Sequence, residues 1–534
     1  MSIKLSFSGA SEAAVERHLP ALLADQVASR ITSQDESLWG PDAASEAAIR
    51  LGWTSAVAIS RPLVPEIYAL RDQLHAAGVK RIVLCGMGGS SLAPEVITRT
   101  ARLELVVLDS TDPAQVRDAI AERLTETAVV VSSKSGSTSE TDSQKRVFEA
   151  AFRDAGIEPA ERIIVVTDPG SPLDLSARAD GYRVFNADPN VGGRYSALTA
   201  FGLVPSGLVG ADLDELLTEA ETLELQLAVD QADNPGLQLG AALAGTDPRR
   251  DKLAIVADGT HIVGFADWAE QLVAESTGKH GTGILPVVLG PDAPELSRNL
   301  PDLIVARLVH DAGEARNRAD GTDEIHVSGT LGAQLLLWEY AVAVAGRLLG
   351  INPFDQPDVE SAKIAARGLL DTPPAPQPAA FVSHGIEVRG TASVIGAASD
   401  LDSAIEALLE ELPANGYVAV QAYLDRHRFA ELEQLRDLLA ARTSRPVTFG
   451  WGPRFLHSTG QFHKGGPKIG VFLQLTEQHH WDLEIPGRPF SFGQLISAQA
   501  SGDAQVLADH GLPVLTLTVT DPAVQLPLIL GAVA

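Results

Sequence analysis

Two segments of this chain have the make-up of anion-binding turns. Gly86-Met87-Gly88-Gly89-Ser90-Ser91 sits directly after an apolar run and leads into a helical pattern. Glycines let the backbone approach an anion, and unpaired amides at a helix start point toward it. A bare strand-to-helix turn would use the same residues, so this segment does not decide alone. The second is richer. Ser132-Ser133-Lys134-Ser135-Gly136-Ser137-Thr138-Ser139-Glu140-Thr141 follows the run ending at Val131. One or two hydroxyls suffice to cap a helix. This turn carries enough O–H and N–H donors, with a lysine, to surround a phosphate. No Gly-x-x-x-x-Gly-Lys-Ser/Thr pattern occurs. That excludes the nucleotide P-loop and favours a compact phosphate monoester over a triphosphate.

An acid and a cation suited to work on such a ligand lie further along. Glu275 follows the amphipathic pattern Phe265 to Val273 beside a small polar turn, a place for a proton-transferring base. An exposed helix-end carboxylate would share that context. Arg194 follows two glycines that open space beside it, and a guanidinium keeps its charge at neutral pH.

Three segments carry these residues: Gly192-Gly193-Arg194-Tyr195-Ser196, Gln271-Leu272-Val273-Ala274-Glu275-Ser276-Thr277-Gly278-Lys279, and Asn352-Pro353-Phe354-Asp355-Gln356-Pro357-Asp358-Val359-Glu360-Ser361-Ala362-Lys363. Together with the two loops they resemble phosphoglucose isomerase, and they occur in that family's chain order. The resemblance implies reversible conversion of glucose 6-phosphate and fructose 6-phosphate by ring opening and a cis-enediolate, with no cofactor and no metal. It makes Glu275 the base that moves a proton between C1 and C2, and Arg194 the cation that stabilises the enediolate. Lys363 matches a lysine implicated in ring opening, and Gln271 a substrate-contacting glutamine. Gly89, Ser90, Ser133, Lys134, Ser135, Ser137 and Thr138 would hold the phosphate.

The pattern departs from the family at one point. The family's ring-opening histidine sits in a Thr-Asn-Gly-Gln-His segment between the Glu and Lys motifs, and none lies between Glu275 and Lys363. His280, His310 and His326 are there in other contexts. A similar string, His457-Ser458-Thr459-Gly460-Gln461-Phe462-His463-Lys464-Gly465-Gly466-Pro467, appears nearer the C-terminus. That region, with Phe492-Gly493-Gln494-Leu495-Ile496-Ser497-Ala498-Gln499-Ala500, is similar to the isomerase half of fused transaldolase/phosphoglucose isomerase proteins. His457 or His463 would then replace the missing histidine, unless the string is only a surface loop that staples its domain.

The elements that must position these residues read as an α/β protein: two doubly wound sugar-isomerase (SIS) domains with parallel sheets and a smaller C-terminal α/β domain. Continuous apolar runs such as Ile163-Ile164-Val165-Val166 suit parallel strands buried on both faces. First-sheet strands are expected over Arg81 to Cys85, Glu104 to Leu108, Ala128 to Ser132 and Arg162 to Val166, with helices before them. The second sheet opens at Leu253 to Val256, and a long helix runs from about Leu331 to Leu349. Asp371-Thr372-Pro373-Pro374-Ala375-Pro376-Gln377-Pro378 denies helix and sheet alike. The resulting domains are 1–225, 226–370, a linker 371–380, and 381–534.

Composition narrows the classes. The formal net charge of −28 over 534 residues opposes binding to nucleic acid, yet local amides and fields still admit an anionic small molecule. No apolar run nears the roughly 20 residues that span a bilayer, and no secretory signal is evident, so a cytoplasmic address is expected. Cys85 is the only cysteine and reads as a core residue. The resemblance alone implies a homodimer. Competing readings are an isomerase that also accepts mannose 6-phosphate, and a non-catalytic sugar-phosphate regulator, which would have no use for Glu275, Arg194 and Lys363 together.

Overall fold

The computed structural model describes residues 3–315, 323–358, 364–365, 367–370, 378–396 and 398–534. Strand β1 (Lys4–Phe7) opens the chain but does not join the sheet that follows it. The first sheet comprises β2 (Arg81–Gly86), β3 (Val106–Leu108), β4 (Thr127–Ser132), β5 (Ile163–Thr167) and β6 (Arg183–Asn186). Its order is β3-β2-β4-β5-β6, and every pairing is parallel. β2, β4 and β5 are buried at every residue, as apolar runs covered by helices on both faces require.

The second sheet comprises β7 (Lys252–Ala257), β8 (Leu285–Leu289), β9 (Leu303–Leu308) and β10 (Glu324–Ser328), with β1 at its edge. β1 pairs antiparallel with β10, Leu5 opposite Val327, and the other pairings are parallel. The segment expected over residues 1–225 with the first sheet thus lends one short strand to the second. A four-residue strand has too little periodicity to reveal a partner that far along the chain.

The helices Pro235–Ala244 and Leu331–Leu349 pack against each other. One core cluster runs through both sheets and these helices. The third sheet holds β11 (Phe381–Ser383), β12 (Ile386–Gly390), β13 (Tyr417–Tyr423), β14 (Val447–Trp451), β15 (Gly470–Glu477) and β16 (Val514–Val519), in the order β11-β12-β16-β15-β13-β14. It has a core of its own. It also contributes to two shared clusters: Ile485, Phe492 and Leu495 pack on the first sheet, and Tyr417, Phe462, Phe472 and Leu507 on the second. The third domain is therefore packed against both others.

Buried charge reinforces that junction. Arg454 donates to Glu95 at 2.7 Å and Asp109 at 2.8 Å, both on the first domain. Burial would raise the Glu95 carboxyl, but the charges of Arg454 and Arg426 overcome it and hold it at about 2.

Candidate active site

A cavity of about 910 Å³ opens where the three domains meet. The glycine turn after β2 forms one wall, and the structure gives its glycines a specific reason. Gly88 has φ +54°, and a Cβ there would stand 2.6 Å from the His457 carbonyl oxygen and 2.9 Å from Gln271 Nε2. A Cβ on Gly89 would stand 2.0 Å from the Gly193 carbonyl oxygen. The turn must be bare because three other segments close on it. Ser90 lines the cavity beside these glycines.

The hydroxyl-rich loop after β4, the strand paired with β2, also lines the cavity and runs into the helix Ser139–Asp154. Lys134, Ser135, Ser137, Thr138 and Ser139 line the cavity. Ser133 does not: it is buried and its hydroxyl pairs with that of Thr138 at 3.0 Å. It shapes the loop and is not placed to touch a ligand, which corrects the expectation for this residue. Lys134 Nζ donates to Asp168 at 2.6 Å. Burial nonetheless lowers the lysine below its ordinary range and raises Asp168. Around the whole cavity, the five basic residues Arg50, Lys134, Arg194, Arg367 and Arg488 meet the five acidic residues Glu46, Glu140, Asp168, Glu275 and Asp355. A chain of net charge −28 thus presents a locally balanced site, which a dianion can enter.

Glu275 and Arg194 meet at the cavity wall. Glu275 lies in the last turn of the helix Phe265–Thr277 and Arg194 in the turn Gly193–Tyr195. Arg194 Nη1 stands 3.1 Å from Glu275 Oε1, and both side chains are nearly enclosed. Gln271, one turn earlier, donates to Glu275 Oε2 at 3.0 Å and to the His457 carbonyl at 2.8 Å. A carboxylate has about four acceptor positions, so Glu275 keeps capacity for a proton. Arg194 is held from behind: Nε donates to Ser276 at 2.8 Å, and Nη2 to the carbonyls of Pro353 and Asp355 at 2.8 Å each. A second buried cation shares that loop. Lys279 Nζ donates to the Asn352 and Asp355 carbonyls at 2.7 Å and to Asp355 Oδ1 at 2.6 Å. Burial first, then the charge of Arg194, pushes Lys279 down to about 8.

Lys363 lies outside the described residues. The two C-terminal histidines separate cleanly. His457 lines the cavity, with Nε2 2.9 Å from Glu140 Oε1. Glu140 is fixed in turn by Gln499 Nε2 at 2.8 Å, and Gln499 Oε1 accepts from Thr111 at 2.7 Å. His463 is turned into the third domain instead. It stacks on Tyr417 and meets Phe472 edge-on, with Nδ1 2.9 Å from the Tyr417 hydroxyl. Burial lowers it to about 3. His463 therefore has no access to a ligand in the cavity, a correction to its candidacy. His280, His310 and His326 do not line the cavity either.

Sequence reasoning missed Glu140, Gln499 and Lys279 as members of the site. All three stood inside the motifs given above, without a role of their own. The pairing of Glu140 with a histidine more than three hundred residues away had no local signal.

Comparison with known proteins bears on the same residues. A family model described as Phosphoglucose isomerase matches residues 73–280. A probable glucose-6-phosphate isomerase of Natronomonas pharaonis is 31% identical over 415 residues, covering 68% of this chain and 92% of that protein. The chain belongs to the phosphoglucose isomerase family. A glucose-6-phosphate isomerase of Thermosynechococcus vestitus is 29% identical, covering 58% of this chain and 71% of that protein. Among solved structures, a glucose-6-phosphate isomerase from Chlamydia trachomatis superposes with a TM-score of 0.54 at 19% identity, covering 69% of this chain and 88% of that one. A hypothetical protein from Thermus thermophilus reaches a TM-score of 0.58 at 24% identity, covering 69% and 100%. These two share the fold. Among the described residues, no helix is long and apolar enough to cross a membrane.

Proposed function

We propose that this phosphoglucose isomerase family member interconverts glucose 6-phosphate and fructose 6-phosphate. The observation that carries the reading is the buried Glu275–Arg194 pair, 3.1 Å apart, in a cavity that the hydroxyl-rich loop also lines. The phosphate sits against Ser135, Ser137 and Thr138, with Lys134 beside it. His457, backed by Glu140, passes the proton that opens the sugar ring. Glu275 then takes the proton from C2 of the open aldehyde. The electron pair left behind forms the C1–C2 double bond and drives the carbonyl electrons onto O1, giving an enediolate. Arg194, held by the 353–355 carbonyls, supplies fixed positive charge to that oxygen. Return of the proton from Glu275 to C1, with transfer of the O2 proton to O1, completes the ketose. Lys363 keeps the ring-opening role that the family resemblance suggests.

The same resemblance supports a cytoplasmic homodimer acting in glycolysis and gluconeogenesis. His457 meets Glu140 at 2.9 Å within one chain, so dimerisation is not needed to pair them.

The test is a coupled assay for glucose 6-phosphate formed from fructose 6-phosphate, with mannose 6-phosphate as control. Glu275→Gln should lose turnover by at least a hundredfold while still binding a phosphate analogue, since proton transfer goes and the charge clamp stays. Turnover within tenfold of the parent would remove Glu275 from the base role. Comparable turnover of mannose 6-phosphate would widen the substrate class.

A further inference from the structure

A second group of ligand-bearing side chains lies outside the cavity, at the junction of the first and third domains. Asp112 follows β3 and caps the helix Pro113–Ala121: its Oδ1 accepts from the Ala114 and Gln115 amides at 2.9 Å each. Its other oxygen, Oδ2, is left for another partner. Glu477 ends β15 and His479 follows two residues later. One oxygen of each carboxylate and a ring nitrogen of His479 lie within 4.8 Å of one another. None of the three lines the cavity.

His479 is what lifts this above a pair of acids. Its side chain is only 10% exposed, and its Nε2 is shut off from solvent without a hydrogen-bond partner. Asp112 Oδ2 stands 3.9 Å from Nε2, and Glu477 Oε1 stands 3.8 Å from Nδ1. Both are too long for hydrogen bonds. A buried ring nitrogen left unpaired, on an imidazole flanked by a carboxylate at each nitrogen, costs free energy unless something binds it. The neighbouring His480 is engaged elsewhere, on the Thr520 carbonyl at 2.9 Å. Asp425 adds negative charge near Asp112, and Arg428 and His480 offset part of that on Glu477.

We propose that Asp112, Glu477 and His479 bind a divalent transition-metal ion, with Zn²⁺ the best fit, and that the ion staples the third domain to the first. One imidazole and two carboxylates suit zinc, and imidazole disfavours magnesium or calcium. Ligands of a tetrahedral zinc stand about 3.3 Å apart at bond lengths of roughly 2.0–2.1 Å. One ion takes one ring nitrogen, so from separations of at most 4.8 Å the three ligand atoms must close by about 1.5 Å or less. The staple reaches the active site indirectly: Thr111, next to Asp112, donates to Gln499, which holds Glu140. The site's role is structural, apart from the isomerisation chemistry.

The test uses the full chain, stripped with a strong chelator and titrated with Zn²⁺ against a chromophoric competitor. One Zn²⁺ per chain should bind, and His479→Asn and Glu477→Gln should each weaken it at least tenfold. Asp112 is left alone because its other oxygen caps a helix. One equivalent of Zn²⁺ should raise the parent's Tm by a few degrees, and neither variant's. Absence of binding tighter than about 100 µM, or binding unchanged in both variants, overturns the site. Metal-stripped protein should keep its turnover; a loss restored by Zn²⁺ would overturn the structural role.

Discussion

Replacing His457 and His463 separately by Asn should damage two different properties. His457 faces the cavity with Nε2 2.9 Å from Glu140, and its side chain is 13% exposed. Asn at 457 is too short to reach Glu140 and has no titratable proton. Loss of a positioned acid–base group costs typically 10²–10⁴ in rate, or about 3–5 kcal/mol in the barrier. The fold should hold, because the ring has few apolar contacts to lose. At His463 the balance reverses. Asn there removes a ring packed between Tyr417 and Phe472 and leaves the Tyr417 hydroxyl without its 2.9 Å partner. That should cost roughly 2–4 kcal/mol of stability, with turnover near the parent's. The assays are steady-state turnover of cyclic fructose 6-phosphate, proton exchange on an open-chain analogue, and denaturant unfolding. The 457 variant should fail the first and pass the second, since only ring opening is lost. Normal turnover of the cyclic substrate by His457→Asn would refute the assignment, whatever its stability.

Other consequences follow from the same contacts. Arg454→Met should destabilise the protein by roughly 3–5 kcal/mol, because it strands Glu95 and Asp109 in the interior; unfolding no easier than the parent's would mean that Arg426 alone compensates them. His463 is held to about 3 when folded against an ordinary 6.5, so the unfolded chain binds the extra proton. Stability should be full above pH 6.5 and fall as the pH drops from 6.5 toward 3; His463→Phe should flatten that limb, and an unchanged slope would show that other groups set it. Gly89→Ala should weaken substrate binding severely, since its Cβ would stand 2.0 Å from the Gly193 carbonyl oxygen; an unchanged KM would show that the two turns separate freely.

Much of the fold was legible because its strands are apolar runs without alternation, which read as buried parallel strands wherever they occur. Ile163–Thr167 and the helix Leu331–Leu349 fall where those patterns put them. β1 was not legible, because a strand's partner is a tertiary fact. Glu275 and Arg194 stood in recognisable motifs, but not the means of holding them: Arg194 and Lys279 depend on carbonyls of a loop read only as part of a motif. The two histidines show the limit most sharply. They stand six residues apart in one polar, glycine-rich string, and nothing in that string says which faces a ligand. The difference arises where the helix Gly460–Gly465 is wedged against its surroundings. A Cβ on Gly278 would stand 2.4 Å from the Phe462 Cα, and Gln461 donates to the Gly278 carbonyl at 2.9 Å. With Gln461 tied to the glycine that ends the helix Phe265–Thr277, His463 is carried to the Tyr417 side. His457, one short turn before that helix, remains at the cavity against Glu140. What fixes each imidazole is therefore a contact made by another segment. Such contacts place the third domain inside the working site, and a reading confined to its own residues had to leave both histidines open.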